Sequence, residues 1–328
     1  MWTTINARLA LLELLSTGQL KRRRSQCETF DALAQLSWTW TMRRRDHIGV
    51  VDARRFELVA LLDRVWPEWR VELAHLVEVG LPPTPEGWSA LEDRRRAEGL
   101  PDLPALLNRR TAASLTAGRS KAGLSDTRRA SLGSTEATHD GIVRLRLDAP
   151  LVARLSHGSI DLAATASLLG EAALPERALR QGLTLEGQLS ATLLVENLGA
   201  WRDVVVPPGW LVVHVPGWDT ATVSQLLERI ARAPIVHFGD LDPNGVRIFL
   251  HLRERHPDLR WFVPEFWREQ LALRAQPGGW PPDLDLTNAP DLVRELAGSG
   301  RWLEQEAIVL DPRLHLELDR IRKPTSCG

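Results

Sequence analysis

From residue 190 onward the chain alternates short apolar runs with longer amphipathic ones, and this alternation constrains the fold more than any other feature of the sequence. Residues 191–195, 210–215, 234–238 and 259–263 are apolar runs of strand length, fit for burial on both faces. Between them, 220–231 and 245–255 carry helical periodicity. Strands separated by about a dozen helical residues cannot pair through tight hairpins; they become parallel neighbours joined by crossovers. The expectation is an α/β domain over 186–328, a parallel sheet with flanking helices. A Pro/Gly loop at 277–282 and one or two further helices over 290–309 complete it.

In such a sheet, functional groups gather beyond the carboxyl ends of the strands. Three acids fall there: Glu196 closes the first run, and Asp240 and Asp242 follow the third. Two residues apart in extended chain, the aspartates project to one side, about 6–7 Å apart at Cα. Carboxylates approaching to about 5 Å repel by roughly 3 kcal/mol at an effective dielectric of about 20. No basic residue follows until Arg247, so a cation is expected to relieve the repulsion. Hard oxygen donors at this spacing suit Mg2+ or Mn2+. Glu196 either completes that site or works beside it as general acid or base.

Other readings of the same residues compete. A lone Asp-x-Asp is commonly a loop cap. The run Asp240-Leu-Asp242-Pro-Asn244-Gly245 also imitates the opening of an EF-hand, but its twelfth position is His251 instead of glutamate, and a strand precedes it. A haloacid-dehalogenase phosphatase also places Asp-x-Asp after a strand, with threonine where Asn244 stands. His237 lies inside a strand, and His251 and His256 are five apart, off one helical face, so core or surface roles fit them better than zinc ligation. Cys27 and Cys327, the only cysteines, lie at opposite ends and offer neither a disulfide framework nor a Cys-rich metal site. With no basic-then-apolar leader and no apolar run of the roughly 20 residues a membrane span needs, a cytoplasmic location is expected and no membrane association.

The front of the chain differs in charge. Residues 1–150 hold 23 Lys+Arg against 19 Asp+Glu, whereas the remainder holds 18 against 23, and nearly all the positive charge is arginine. A mildly basic front fits phosphate contact, for which arginine is the better bidentate partner. Residues 1–90 read as a helical arm: 5–15 and 53–66 are amphipathic, the second through Phe56, Val59, Leu62 and Val65. Arginine clusters at 22–24 and 43–45 flank the segment between them. Trp38, Trp40, Trp66 and Trp69 either form a docking surface or pack a helical core. Prolines 82, 83 and 85 break the chain. Residues 103–147 then resemble a small winged-helix unit within a region spanning 100–175: a helix near 103–115, a short helix at 125–132, and a strand at 142–147 whose Arg144 and Arg146 alternate with apolar residues, as a wing would.

Strand-Glu followed by strand-Asp-x-Asp is the Toprim pattern of topoisomerases, primases and several nucleases. The local sequence Leu194-Val-Glu-Asn-Leu198, then His237-Phe-Gly-Asp-Leu-Asp-Pro-Asn-Gly245, then Leu303-Glu-Gln-Glu306 resembles the C-terminal domain of the Wadjet JetD family. Gly118-Arg-Ser-Lys121 through Asp126-Thr-Arg-Arg129 resembles that family's segment ahead of the Toprim domain. The resemblance spans about 100–310 and implies a winged-helix region followed by Toprim, as in the A subunit of type VI topoisomerases. It implies a metal-dependent nuclease of a plasmid-defence system, partnered by double-stranded plasmid DNA and a condensin-like SMC motor complex, with homodimer formation expected. Glu196, Asp240 and Asp242 take the acidic catalytic and metal-binding positions, with Glu304 or Glu306 as a fourth ligand. Arg119, Lys121, Arg128, Arg129, Arg144 and Arg146 become the DNA-contacting residues. The chain contains no tyrosine, so the covalent tyrosyl chemistry of topoisomerases is unavailable and hydrolysis remains. The alternative is a non-catalytic DNA-binding or regulatory protein that keeps the fold.

Overall fold

The computed structural model describes residues 2–42, 46–230 and 233–322 and divides into two compact units, Met1–Ala137 and Thr138–Gly328. The arginine cluster at 43–45 and Cys327 lie outside the described residues, as does the end of the helix expected at 220–231.

The first unit opens with α1 (Ile5–Thr17), started by the Thr4 hydroxyl accepting from Ala7 N at 3.3 Å and closed by Gly18 in the left-handed conformation, φ 73°. Then come β1 (Gln19–Lys21), α2 (Cys27–Ala34), β2 (Thr39–Thr41), β3 (His47–Val50), α3 (Arg55–Val65), α4 (Trp69–Glu78) and α5 (Pro85–Glu98). The expected helical arm therefore also holds a three-stranded antiparallel sheet, with β3 between β1 and β2. In α3 the buried stripe is Leu58, Leu61 and Leu62, whereas Phe56 is exposed. Trp38, Trp66 and Trp69 are buried in the core that includes Leu9, Leu12 and Leu62; of the four tryptophans only Trp40 is exposed. Next follow β4 (Leu106–Asn108), α6 (Arg109–Ala117), α7 (Asp126–Ala130) and β5 (Glu136–Thr138), with β5 paired to β4. Ala112, Ala113, Leu124 and Leu132 form a small separate core there.

The second unit is built on a six-stranded sheet. Its elements in chain order are β6 (Ile142–Leu147), β7 (Leu151–Leu155), β8 (Gly158–Asp161), α8 (Leu162–Leu169), β9 (Ala172–Pro175), α9 (Glu176–Arg180), β10 (Thr184–Gly187), β11 (Ala191–Val195), α10 (Leu198–Asp203), β12 (Trp210–His214), α11 (Ala221–Leu227), β13 (Ile235–Phe238), α12 (Pro243–Arg255) and β14 (Arg260–Trp261). The order across the sheet is β14-β13-β11-β12-β6-β9. Strands β14, β13, β11 and β12 run parallel, as the crossover lengths require. The sheet as a whole is mixed, not parallel: β6 joins β12 antiparallel, and β9 joins β6 antiparallel. The strand expected as a wing is thus an interior strand of this sheet, because Val143 and Leu145 face the same core as Leu211 and Val213. Strands β10, β7 and β8 form a separate antiparallel sheet.

Both faces of the six-stranded sheet are covered, which explains why β11 and β12 read as continuous apolar runs. Leu193, Val195 and Val212 face a core with Trp201, Trp210 and Trp267. Leu194, Leu211 and Val213 face the opposite core, with Ile248, Phe249 and Leu252 of α12. After β14 the chain adds α13 (Leu271–Arg274), the short pair β15 (Gln276–Pro277) and β16 (Arg301–Trp302), α14 (Asp291–Ser299) and α15 (Pro312–Arg322). Among the described residues no helix is long and apolar enough to cross a membrane.

Candidate acidic site

Strand register assembles the site from three stretches of chain. Val195 pairs with Phe238 across β11 and β13, and Glu196 N donates to Phe238 O at 3.3 Å, so Glu196 leaves its strand beside Gly239. Leu241 bridges Leu303, which brings residues 304–306 alongside Asp240. Gln305 N donates to Asp240 Oδ1 at 2.8 Å. The fully buried Gln305 side-chain amide spans Phe238 O and Asn197 N at 3.2 and 2.9 Å. Asn197 Nδ2 then donates to Asp240 Oδ2 and to Glu306 Oε2, both at 2.9 Å.

Two glycines make this approach possible. A Cβ on Gly239 would stand 2.8 Å from Glu196 Oε2 and collide with His237 Nε2; one on Gly245 would collide with the Asp240 carbonyl. The spacing Gly239-Asp-x-Asp-x-x-Gly245 is therefore steric, letting the strand end, the acid and the first turn of α12 share one small space. Asp242 Oδ1 accepts from Gly245 N at 2.6 Å and caps α12, with Pro243 at the first helical position.

The electrostatics are those of crowded acids. Burial, followed by repulsion from Asp240 and then Asp242, pushes the Glu196 carboxyl up to about 8. Burial also pushes Asp240 up to about 7, reinforced by Glu306, Asp242 and Glu304, while the Gln305 N–H opposes the rise. Glu196 Oε2 is buried with no hydrogen-bond partner. Such an arrangement holds a carboxylic acid protonated near neutral pH until a positive charge enters. The donor set is all carboxylate oxygen, which fits a hard divalent cation, and the orphaned Glu196 oxygen is the kind of group a cation satisfies. Among the described residues no three His, Cys, Asp or Glu side chains form a shell that would hold an ion; the Asn197 amide stands between Asp240 and Glu306.

Of the residues expected from sequence, Glu196, Asp240 and Glu306 converge directly, Asp242 borders them through its cap, and Glu304 acts on Asp240 at longer range. Asn197 and Gln305, the polar links that hold the cluster together, were not singled out; their place inside the Glu196-Asn197 and Glu304-Gln-Glu306 elements was the available signal. The expected phosphate contacts divide. Arg119, Lys121 and Arg129 are exposed in the first unit, whereas Arg128 donates to Asp93 Oδ2 at 2.7 Å and to Gly123 O at 2.8 Å. Arg144 is bidentate to Glu171, and Arg146 Nη1 donates to Trp201 O and Val204 O at 2.7 and 2.8 Å. His237 is fully buried against Phe249 and Trp261, and burial drives it down to about 3, a neutral core histidine.

Fold and site together define an α/β protein that gathers carboxylates at the carboxyl ends of parallel strands in a mixed sheet. Residues 137–264 match the family model described as Wadjet protein JetD, C-terminal. This part of the chain is thus similar to the C-terminal part of Wadjet protein JetD. The matched segment begins where the second unit begins and contains Glu196, Asp240 and Asp242, but not Glu306. A comparison with curated proteins gives no match.

Proposed function

We propose that the protein is a metal-dependent DNA endonuclease of Toprim type, acting in a Wadjet-like plasmid-defence system together with its condensin-like motor. One observation carries this reading: Glu196, Asp240 and Glu306 come from three separate stretches of chain and come together beyond the ends of β11 and β13, and the charges acting most on Glu196 and Asp240 are other carboxylates. Glu196 and Asp240 would hold Mg2+ or Mn2+ together with water, with Asp242 and Glu306 beside them. When bound, the cation supplies Lewis-acid polarisation of a phosphodiester and charge stabilisation for its leaving oxygen. Glu196, buried and proton-retaining, is suited to hold or release the proton of the attacking water. Asn197 keeps Asp240 and Glu306 oriented, and Gln305 fixes the backbone behind them. With no tyrosine in the chain, the water route is the one its side chains support. The exposed Arg119, Lys121 and Arg129 supply non-specific phosphate contact in a DNA-binding region ahead of the Toprim domain.

The non-catalytic reading draws on one observation, the Asn197 amide seated between two of the acids. Incubating supercoiled plasmid with the full chain and Mg2+ or Mn2+ separates the two. The nuclease reading expects cleavage that Asp240→Asn reduces at least about a hundredfold, and a melting temperature raised by Mn2+ in the parent but not in the variant. DNA binding without cleavage, with the same Mn2+ effect on both, would leave only the non-catalytic protein.

A further inference from the structure

A second charged cluster lies across α10 from the acids. Gly199 of that helix packs against Glu306, its Cα leaving room for a Cβ only 3.5 Å from Glu306 Cγ and Oε1. Further along the same helix, Trp201 lies under the Arg144 guanidinium, whose carbon is 4.8 Å from the ring centroid. Arg144 sits one residue beyond the Leu145–Val213 pair of β6 and β12, and β12 borders β11. Two strand spacings place it about 10 Å from the end of β11, where Glu196 stands.

Arg144 is held in a fork. Its Nε and Nη2 donate to Glu171 Oε1 and Oε2 at 3.0 and 2.5 Å, and Arg202 Nη1 approaches Glu171 Oε2 at 3.8 Å. Arg202 reaches this position over Gly170, which ends α8 with φ 81° and has no side chain to exclude it. Arg146 lies behind, its Nη1 closing the last carbonyls of α10. No carboxylate within 4 Å neutralises Arg146 among the described residues, and burial lowers its proton affinity, as expected of a charge retained in a poorly solvated place. Arg144 and Arg202 thus share the carboxylate of Glu171, which is partly exposed, as are both arginines.

A carboxylate in an arginine fork has the geometry of a phosphodiester oxyanion in the same fork. We propose that Arg144 and Arg202 form a clamp for a DNA backbone phosphate next to the acidic site, and that Glu171 occupies it as a displaceable internal substitute until DNA arrives. This deepens the nuclease reading and rests on it for the identity of the ligand. The clamp would fix one strand relative to the acids, while Glu171 lowers affinity for DNA and so restrains binding.

The test is equilibrium binding of the full chain to a fluorescent duplex in EDTA, over a salt series, so that catalysis plays no part. Glu171→Gln keeps the side-chain shape and should tighten binding about fivefold, steepening the log K against log salt slope by about one. Arg144→Gln and Arg202→Gln should each flatten it by about one, and Glu171→Gln/Arg144→Gln should lose the gain. If Glu171 only braces Arg144 on Trp201, Glu171→Gln will lower the melting temperature and leave affinity and slope unchanged, which overturns the proposal. A gain that persists in the double variant also overturns it, since general charge would then explain the effect. Metal-dependent plasmid cleavage, measured separately, reports on the nuclease reading: binding shifts without cleavage leave the clamp standing, and cleavage without binding shifts removes the clamp alone.

Discussion

Asn197 Nδ2 stands 2.9 Å from Asp240 Oδ2, and the same nitrogen reaches Glu306 Oε2 at the same distance. One neutral amide therefore does for two carboxylates part of what a cation would do: it gives each a donor and holds them together. Replacing it by a third acid should reverse the balance. Asn197→Asp is nearly isosteric, so it should lower the melting temperature of the metal-free protein by several degrees, about 1–2 kcal/mol of added repulsion. It should also enlarge the rise on adding Mn2+. Thermal melts with and without Mn2+ check both; an unchanged metal-free melt would show that the acids are not crowded in solution.

The raised carboxyls give a pH dependence of definite sign. Glu196 and Asp240 have folded values of about 8 and about 7, above their ordinary 4.5 and 3.8, so the folded chain retains protons that the unfolded chain has lost. The stability this contributes is fully present below the ordinary values and disappears as pH rises through about 7 and 8. Between pH 6 and 8.5 the metal-free protein should therefore become less stable. Glu196→Gln should weaken that slope, and saturating Mg2+ should largely abolish it in the parent. A stability that climbs with pH across this window in EDTA would contradict the burial of both acids.

The proposed hydrolysis would leave no protein on DNA. Because the chain lacks tyrosine, quenched reactions run on denaturing gels should show free ends only. A species that survives detergent and disappears on protease treatment would demand another nucleophile and remove the water mechanism.

The parallel strands and their acidic ends were legible because each strand is apolar on both faces and each acid interrupts a run at its end. The reach of residues 304–306 was not, since it depends on the Leu241–Leu303 bridge between segments about 60 residues apart. Long-range pairing leaves little local trace, and only the weak Glu-Gln-Glu likeness hinted at it. The strand at 142–147 shows the opposite failure: its alternation was read well, but alternation cannot say which sheet a strand joins. The tryptophans of the first unit stayed open between docking surface and core because hydrophobicity alone does not distinguish the two. Burial of Trp38, Trp66 and Trp69 decides for the core.

The arginines of the first unit should separate by their partners. Arg119 and Lys121 are exposed, and no salt bridge or side-chain hydrogen bond is formed by either among the described residues. Arg128 is mostly buried and joined to Asp93 and the Gly123 carbonyl. A phosphate must compete with those partners for Arg128, but finds Arg119 and Lys121 free to reorient. Arg119→Gln with Lys121→Gln should weaken binding to all duplex sequences alike and flatten the salt dependence by about two units of slope. Arg128→Gln should leave the slope within about 0.3 of the parent and instead lower the melting temperature, because Asp93 loses a mostly buried partner. The sizes differ in kind as well as amount: one change moves a binding slope, the other a melt. If Arg128→Gln flattens the slope by about one, its guanidinium leaves Asp93 for the DNA, and the pair is a switch that opens on binding. If the double variant leaves the slope unmoved, Arg119 and Lys121 form only a solvated face, and the phosphate contacts of this protein lie in its second unit.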